Sequence, residues 1–368
     1  MSRSIFFYGS LRHAPLLRIV LGYAPDAKRM APAVLNGYAV RGVSEGPFPT
    51  LVREKGADAH GLLVRGLSKA DIARLDFYEG GFAYDLLPVE LADGQAAEVY
   101  VSPPDRWTAT GAWSLEAWVA DWGEMSCHAA VEVMGYYGTL DAQTVAQRFG
   151  QIRTRAWSKV LAGRASARQG TFDGEVEVIA QRKAYSGFLT LDEVEMRHSR
   201  FAGGMSERLE RSYLVGADAS LVLPYDPVRD RVMMIEQVRV GPLGRGDPEL
   251  WQYEPIAGRV DPGETPAEAA HREAQEEAGL TLSRLEQVGQ CYASPGSTTD
   301  FFHVFVGLAD LPDTVTGVGG LETEAEDIRS HLFDFAEFLE MAEGQRLVNA
   351  PLLLLCYWLA HHRKRLRS

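Results

Sequence analysis

From residue 1 to about 105 the apolar positions fall in short runs cut by Gly and Pro. SIFFYGSL, AVLNGYAV, PTLVRE, HGLLVRGL and AAEVYVSP read as strands. Their order suggests a small α+β or β-barrel-like unit. SKADIARLDFYEG reads as a short helix between two of them, with Ser68 as its N-cap. From about 113 to 168 the apolar spacing changes to three and four residues. SLEAWVADWGE, CHAAVEVMGYYG and DAQTVAQRFGQIRTRAWSKVLAGRA are therefore helical and complete the first unit. The polar stretch RASARQGTFDG places a boundary near residue 170, giving domains 1–168 and 172–368.

The second half opens with strand patterns. EVEVIAQRKAYSG is one, and ERSYLVGADASLVLPYDPVRDRVMMIEQVRV is a longer one turning at YDPVRDR. A helix rich in Glu follows, then the strands LEQVGQCYAS and FFHVFVGLAD, a loop of Gly and Glu, and two helices. This order predicts an α/β/α sandwich around a mixed sheet. There is no internal repeat and no low-complexity tract.

Composition narrows the function classes. With 368 residues, 46% hydrophobic and 24% charged, the chain suits two domains with real cores. The net charge is −13, and the tail HHRKRLRS is the only basic run. A nucleic-acid partner is not expected. An anionic substrate would need local positive charge from arginines or a metal ion. Cys127, Cys291 and Cys356 are too few and too scattered for a disulfide framework or a zinc site, which fits a reducing cytoplasm. MSRSIFFYGSLRH lacks the apolar run of a secretory signal, and APLLLLCYWLA is too short to span a bilayer. The latter reads as a buried helix with a cationic last turn. The expectation is a cytoplasmic protein without a membrane partner.

The sharpest chemistry lies in GRVDPGETPAEAAHREAQEEAGL, residues 258–280. Thr265 and Glu268 form a capping box, Pro266 opens the helix and Gly279 closes it. Ala267, Ala270, Ala274 and Ala278 make a small apolar face. Glu273 and Glu277, four apart, share another face with Glu276. Arg272 can brace one carboxylate and leave the others free. Two readings follow: an acidic surface helix braced by one arginine, or oxygen ligands for a hard divalent ion such as Mg²⁺.

The segment resembles a complete Nudix box, with Gly258, Glu264, Arg272-Glu273-Ala274, Glu276-Glu277 and Gly279-Leu280 at the fixed positions. That resemblance, over roughly 172–368, implies hydrolysis of a nucleoside diphosphate linked to another moiety, with Mg²⁺ or Mn²⁺ as cofactor. It implies Glu273 and Glu277 as the main metal ligands, Glu276 as a further ligand or positioner, and the Ala257 carbonyl as an additional one. Glu264 would anchor the loop and Arg272 would orient its neighbours. Pro295, 16 residues after Gly279 in an SPG segment, resembles the ADP-ribose pyrophosphatases. EAEDI resembles their catalytic loop, which implies Glu324 as general base and Glu326 as a third-shell or direct metal ligand. MIEQVRV resembles the strand before the box, with Arg239 on a substrate phosphate; Glu254 and Trp251 are candidate ribose and base contacts. The resemblance also implies a homodimer. ADP-ribose is the expected substrate, with GDP-mannose-type nucleotide sugars and a non-catalytic nucleotide sensor as alternatives.

FFYGSLR and LDFYEGGFAY together resemble the gamma-glutamylcyclotransferase-like fold, over roughly 1–105. The resemblance implies a carboxylate-binding nest at Tyr8-Gly9-Ser10-Leu11. It also implies Glu79 as general acid/base and Tyr84 as a pocket-shaping residue. The pairing of the two domains resembles tellurite-resistance-associated Nudix proteins.

Overall fold

The computed structural model describes residues 2–82, 84–164, 172–187, 189–320 and 326–368. Two compact units, Met1–Ala165 and Ser166–Ser368, divide the chain. The expected boundary near residue 170 lies outside the described residues.

The first unit is built on strands β1 (Arg3–Phe7), β2 (Met30–Val43), β3 (Pro49–Leu67), β4 (Asp85–Glu90), β5 (Ala96–Val101) and β6 (Ala109–Ala112). They form one sheet in the order β4-β5-β1-β3-β2-β6. It is a half-barrel with β4 and β6 as its edges. Register explains the curvature: Asn36 pairs with Asp58 but Tyr38 pairs with Arg53, so residues 54–57 stand opposite Gly37. Gly37 has φ +77°, which suits only glycine at such a bulge. β1 alternates: Ile5 and Phe7 enter the core under the helices, while Phe6 and Tyr8 enter a second core on the other face.

The helices of this unit are α1 (Ala14–Leu21), α2 (Lys69–Gly80), α3 (Leu115–Trp118), α4 (Glu124–Gly135), α5 (Ala142–Gln147) and α6 (Phe149–Arg164). Ser68 caps α2 as expected, in a reciprocal box with Asp71. α4 and α6 are locked by a buried ion pair, Arg155 to Glu132 at 2.6 Å, with the Tyr136 hydroxyl donating to Glu132 at 3.3 Å. Breaking either side would strand a buried charge.

The second unit holds two sheets. β7 (Val176–Ser186), β8 (Thr190–His198) and β9 (Leu209–Val215) form a three-stranded antiparallel sheet. The periodicity reading missed β8. Its sequence, TLDEVEMRH, has too many charges to alternate, but those charges pair across the strands: Asp192 with Lys183, Glu193 with Arg182 and Glu195 with Arg208. The long strand expected from ERSYLV onward is broken at Gly216. A Cβ there would meet the Asp300 carboxylate at 1.7 Å, so only glycine lets the chain cross into the next sheet.

That sheet contains β10 (Asp218–Asp226), β11 (Arg231–Val238), β12 (Trp251–Glu254), β13 (Ile256–Arg259), β14 (Arg284–Tyr292), β15 (Phe301–Leu308), β16 (Val318–Gly319) and β17 (Ile328–Asp334). The order is β14-β15-β10-β11-β17-β16, with β12 on β11 and β13 on β10. β10 and β15 run parallel and the remaining pairs antiparallel, so the sheet is mixed. Val222, Met233 and Ile235 pack towards helix α8 (Pro266–Ala278). Leu223, Tyr225, Val232 and Met234 pack on the opposite face, against α9 (Phe335–Glu343) and α10 (Ala350–Leu366). This is the expected three-layer sandwich. A short helix, α7 (Val240–Arg245), links β11 to β12. Among the described residues no helix is long and apolar enough to cross a membrane.

Candidate active sites

In the second unit, Thr265 and Glu268 close a reciprocal capping box at the start of α8, and Gly279 ends the helix at φ +64°. α8 packs on β13 closely. A Cβ at Gly258 would lie 1.8 Å from the Glu273 carboxylate, so the glycine is what admits that side chain against the strand. Glu277, beside it, accepts the Ala257 N–H at 3.3 Å. Both glutamates are buried.

The positive partner of this acidic helix is Arg272. It donates to Glu264 at 2.8 Å, Glu273 at 2.7 Å, Glu276 at 2.9 Å and the Arg259 carbonyl at 2.9 Å. Glu264 also accepts the Asp261 N–H at 3.1 Å, tying the loop to the helix. One guanidinium therefore bridges three carboxylates and the strand. It does not neutralise the deepest one. Burial, then the charge of Glu273, pushes Glu277 up to about 9, with Glu326 adding to the rise. Burial pushes Glu273 up to about 7 against the pull of Arg272. Glu273, Glu277 and Glu326 thus repel one another in a poorly solvated place, where a divalent cation would favour their charged forms. The donors are hard oxygens, which fits Mg²⁺ or Mn²⁺. Among the described residues no group of three or more Asp, Glu, His or Cys side chains is arranged to hold a metal ion.

Of the other sequence candidates, Arg239 and Glu326 act on this cluster. Arg239 acts electrostatically on Glu277, which puts its charge beside the acidic pair. It also donates to one Glu254 oxygen at 2.9 and 2.6 Å, while Asn349 donates to the other at 3.3 Å. Sequence reading treated Arg239 and Glu254 separately; the structure joins them. Trp251 is exposed, next to Arg239 across the β11–β12 pair. Pro295 is exposed in a turn in which the Ser294 carbonyl accepts the N–H groups of Ser297 and Thr298, each at 3.0 Å. Gly319 touches α8 so closely that a Cβ would meet the Glu277 carbonyl at 2.3 Å. Glu326 acts electrostatically on both Glu273 and Glu277. Glu324 lies outside the described residues.

In the first unit, Tyr8, Gly9, Ser10, Leu11, Glu79 and Tyr84 all line one cavity of about 290 Å³. That is near the lower end of small-molecule sites. Tyr8 follows β1, and Gly9 lies where a Cβ would meet the Pro49 ring at 2.8 Å. A single 3₁₀ turn, Ser10–Arg12, carries the chain round. Glu79 sits in the last turn of α2 and faces the cavity. Burial raises it to about 7, a value at which a carboxyl both gives and takes protons near neutrality. The Tyr8 and Tyr84 hydroxyls are held protonated by burial and by their proximity to Glu79. Sequence reading missed the rest of the wall, which includes Phe48, Phe82, Trp107, Trp118 and Phe149. These lie far apart along the chain and read as core aromatics, so only the fold brings them together.

Comparison with known proteins divides the chain similarly. A NUDIX domain model matches residues 217–353, and a model described as gamma-glutamyl cyclotransferase, AIG2-like, matches residues 5–116. The ADP-ribose pyrophosphatase of Escherichia coli (strain K12) is 37% identical over 194 residues, covering 53% of this chain and 92% of that protein. The protein of that name from Haemophilus influenzae is 35% identical over 190 residues, covering 50% and 86%. A GDP-mannose pyrophosphatase from Cronobacter sakazakii is 28% identical over 180 residues, covering 49% and 92%.

Proposed function

The chain belongs to the Nudix family through its second domain, a nucleoside diphosphate-sugar hydrolase, and we propose that its substrate is ADP-ribose, cleaved to AMP and ribose 5-phosphate with Mg²⁺. The observation that carries this is the buried Glu273–Glu277 pair on α8, packed against Gly258. The higher identity to the ADP-ribose enzymes than to the GDP-mannose enzyme favours ADP-ribose.

Glu273 and Glu277 would hold the ion with Glu326, Glu276 and the Ala257 carbonyl. When bound, Mg²⁺ offsets phosphate charge and makes water more acidic. Arg272 fixes the direction of Glu273 and Glu276 and anchors the loop through Glu264. Arg239, held in plane by Glu254, presents a guanidinium to the diphosphate. Glu324 takes the proton as water adds to phosphorus, and the bridging P–O bond breaks. Trp251 offers an exposed ring for the base. The exposed Val176, Val178 and Tyr185 of β7 give the domain a surface for a second copy.

Incubation of the purified chain with ADP-ribose and Mg²⁺, with AMP measured, tests this reading. AMP release that is lost in Glu277→Gln supports it. No AMP sinks it; tight binding without turnover would instead favour a nucleotide sensor, and faster GDP-mannose cleavage would change the substrate.

Glu79 and its cavity favour a second activity in the first domain, cyclisation of a γ-glutamyl amide to 5-oxoproline. The substrate's α-nitrogen attacks its γ-carbonyl carbon, forming the ring N–C bond and breaking the amide C–N bond. Two protons of the α-ammonium end on the departing nitrogen, which leaves as an ammonium, with Glu79 as the carrier. The Gly9–Leu11 turn receives the α-carboxylate.

A further inference from the structure

The cavity in the first domain is lined by two unlike sets of groups. One is Glu79, the phenols of Tyr8 and Tyr84 and the Gly9–Leu11 turn. The other is a wall of rings set by mutual contact. Phe48 meets Trp107 edge to face at 4.8 Å, and Phe82 meets Phe149 in the same manner at 5.1 Å. Trp118 is pinned by donating its indole N–H to the Pro47 carbonyl at 2.6 Å. Its ring completes the wall.

Two of these five rings come from outside the stretch that matches the gamma-glutamyl cyclotransferase model, which ends at residue 116. Trp118 ends α3, and Phe149 opens α6. The helical extension therefore supplies part of the pocket itself. Two charged residues that also line the cavity, Glu45 and Arg153, already have partners. Glu45 accepts the Thr108 N–H with both oxygens, at 2.9 and 3.1 Å. The Arg153 guanidinium lies 5.9 Å from the centre of the Trp122 ring. What the rings offer a ligand is aromatic surface, which prefers offset or edge-to-face contact with another flat ring.

We propose that this cavity selects γ-glutamyl amides whose departing amine carries an aromatic group, with the ring wall built partly by the helical extension as its specificity determinant. This rests on the cyclisation reading above. With the γ-glutamyl part at Glu79 and the Gly9 turn, the amine substituent has the wall as its remaining space. Burying even one extra methylene in such a pocket changes selectivity by about tenfold or more. A phenyl ring offers several times that area.

The experiment measures 5-oxoproline release by the full chain from γ-glutamyl benzylamide and from γ-glutamyl methylamide. The expected result is a kcat/KM for the benzylamide at least about tenfold above that for the methylamide. Phe149→Ala and, in the other ring pair, Phe48→Ala should each bring that ratio down towards one; the pair keeps the test decisive if one variant fails to fold. Equal rates in the unaltered protein would overturn the selectivity and leave the cyclisation reading standing. No 5-oxoproline from either amide would sink both together.

Discussion

Two helices in this chain deliver carboxylates whose proton affinity is raised, to about 7 for Glu79 and Glu273 and about 9 for Glu277, yet their surroundings differ in kind. Glu79 at the end of α2 stands alone among phenols and aromatic rings, and burial is the cause of its rise. Glu273 and Glu277 on α8 face each other and Glu326, and Arg272 links one of them to two more carboxylates. An isolated raised carboxyl is a proton carrier. On the function proposed above, the crowded set of raised carboxylates is where a cation would supply the missing charge. The comparison separates what burial does alone from what burial does with like charges added.

The largest break in that comparison comes from Glu277→Gln. It should lower ADP-ribose hydrolysis at least about a hundredfold, since even the outer partners of metal ligands cost 10- to 100-fold. Mg²⁺ should raise the melting temperature of the second domain in the unaltered chain and not in this variant. The matching change, Glu79→Gln, should leave hydrolysis intact, measured as AMP release.

Gly258→Ala comes next. The added methyl must displace the Glu273 carboxylate, and hydrolysis should fall by about 10- to 100-fold, because displacement by about 1 Å is costly at a catalytic centre. Hydrolysis at the wild-type rate would show that Glu273 need not lie against the strand.

The pH dependence sharpens the contrast for the lone carboxyl. Glu79 moves from an ordinary value of 4.5 to about 7 on folding. Between those values the folded state holds a proton that the unfolded state has released. Stability therefore falls as pH rises through that window, by an amount on the order of 3 kcal/mol. Denaturant titrations at pH 5 and pH 7.5 should show the slope flatten in Glu79→Gln. Cyclisation should rise with pH to about 7, as Glu79 becomes able to accept a proton.

The smallest effect tests where the two helices are alike. Both start with a reciprocal capping box, Ser68 with Asp71 and Thr265 with Glu268. Ser68→Ala and Thr265→Ala should each cost about 1 kcal/mol in denaturant unfolding of their own domain. A much larger loss of activity than of stability in either would mean that the cap also sets the carboxylate's position.

Much of this was legible in the chain because its signals are local. A capping box, a closing glycine and two glutamates four apart specify a helix face without any tertiary knowledge. The YGSL turn and Glu79 were legible as short motifs. Contacts made across the fold were not. Arg239 and Glu254 are 15 residues apart and become partners because β11 and β12 pair. Gly216 looks like any other glycine until Asp300 is placed against it. β8 hid because its charges are satisfied by neighbouring strands rather than by alternation with a core. The ring wall hid because Phe149 and Trp118 obey helical spacing whether or not they face a ligand.

The Glu132–Arg155 pair has a practical consequence for anyone excising the first domain. The family match stops at residue 116, but cutting there would remove both partners of that ion pair, the indole that grips Pro47 and one side of the cavity. A fragment meant to fold and bind must run on through Arg164.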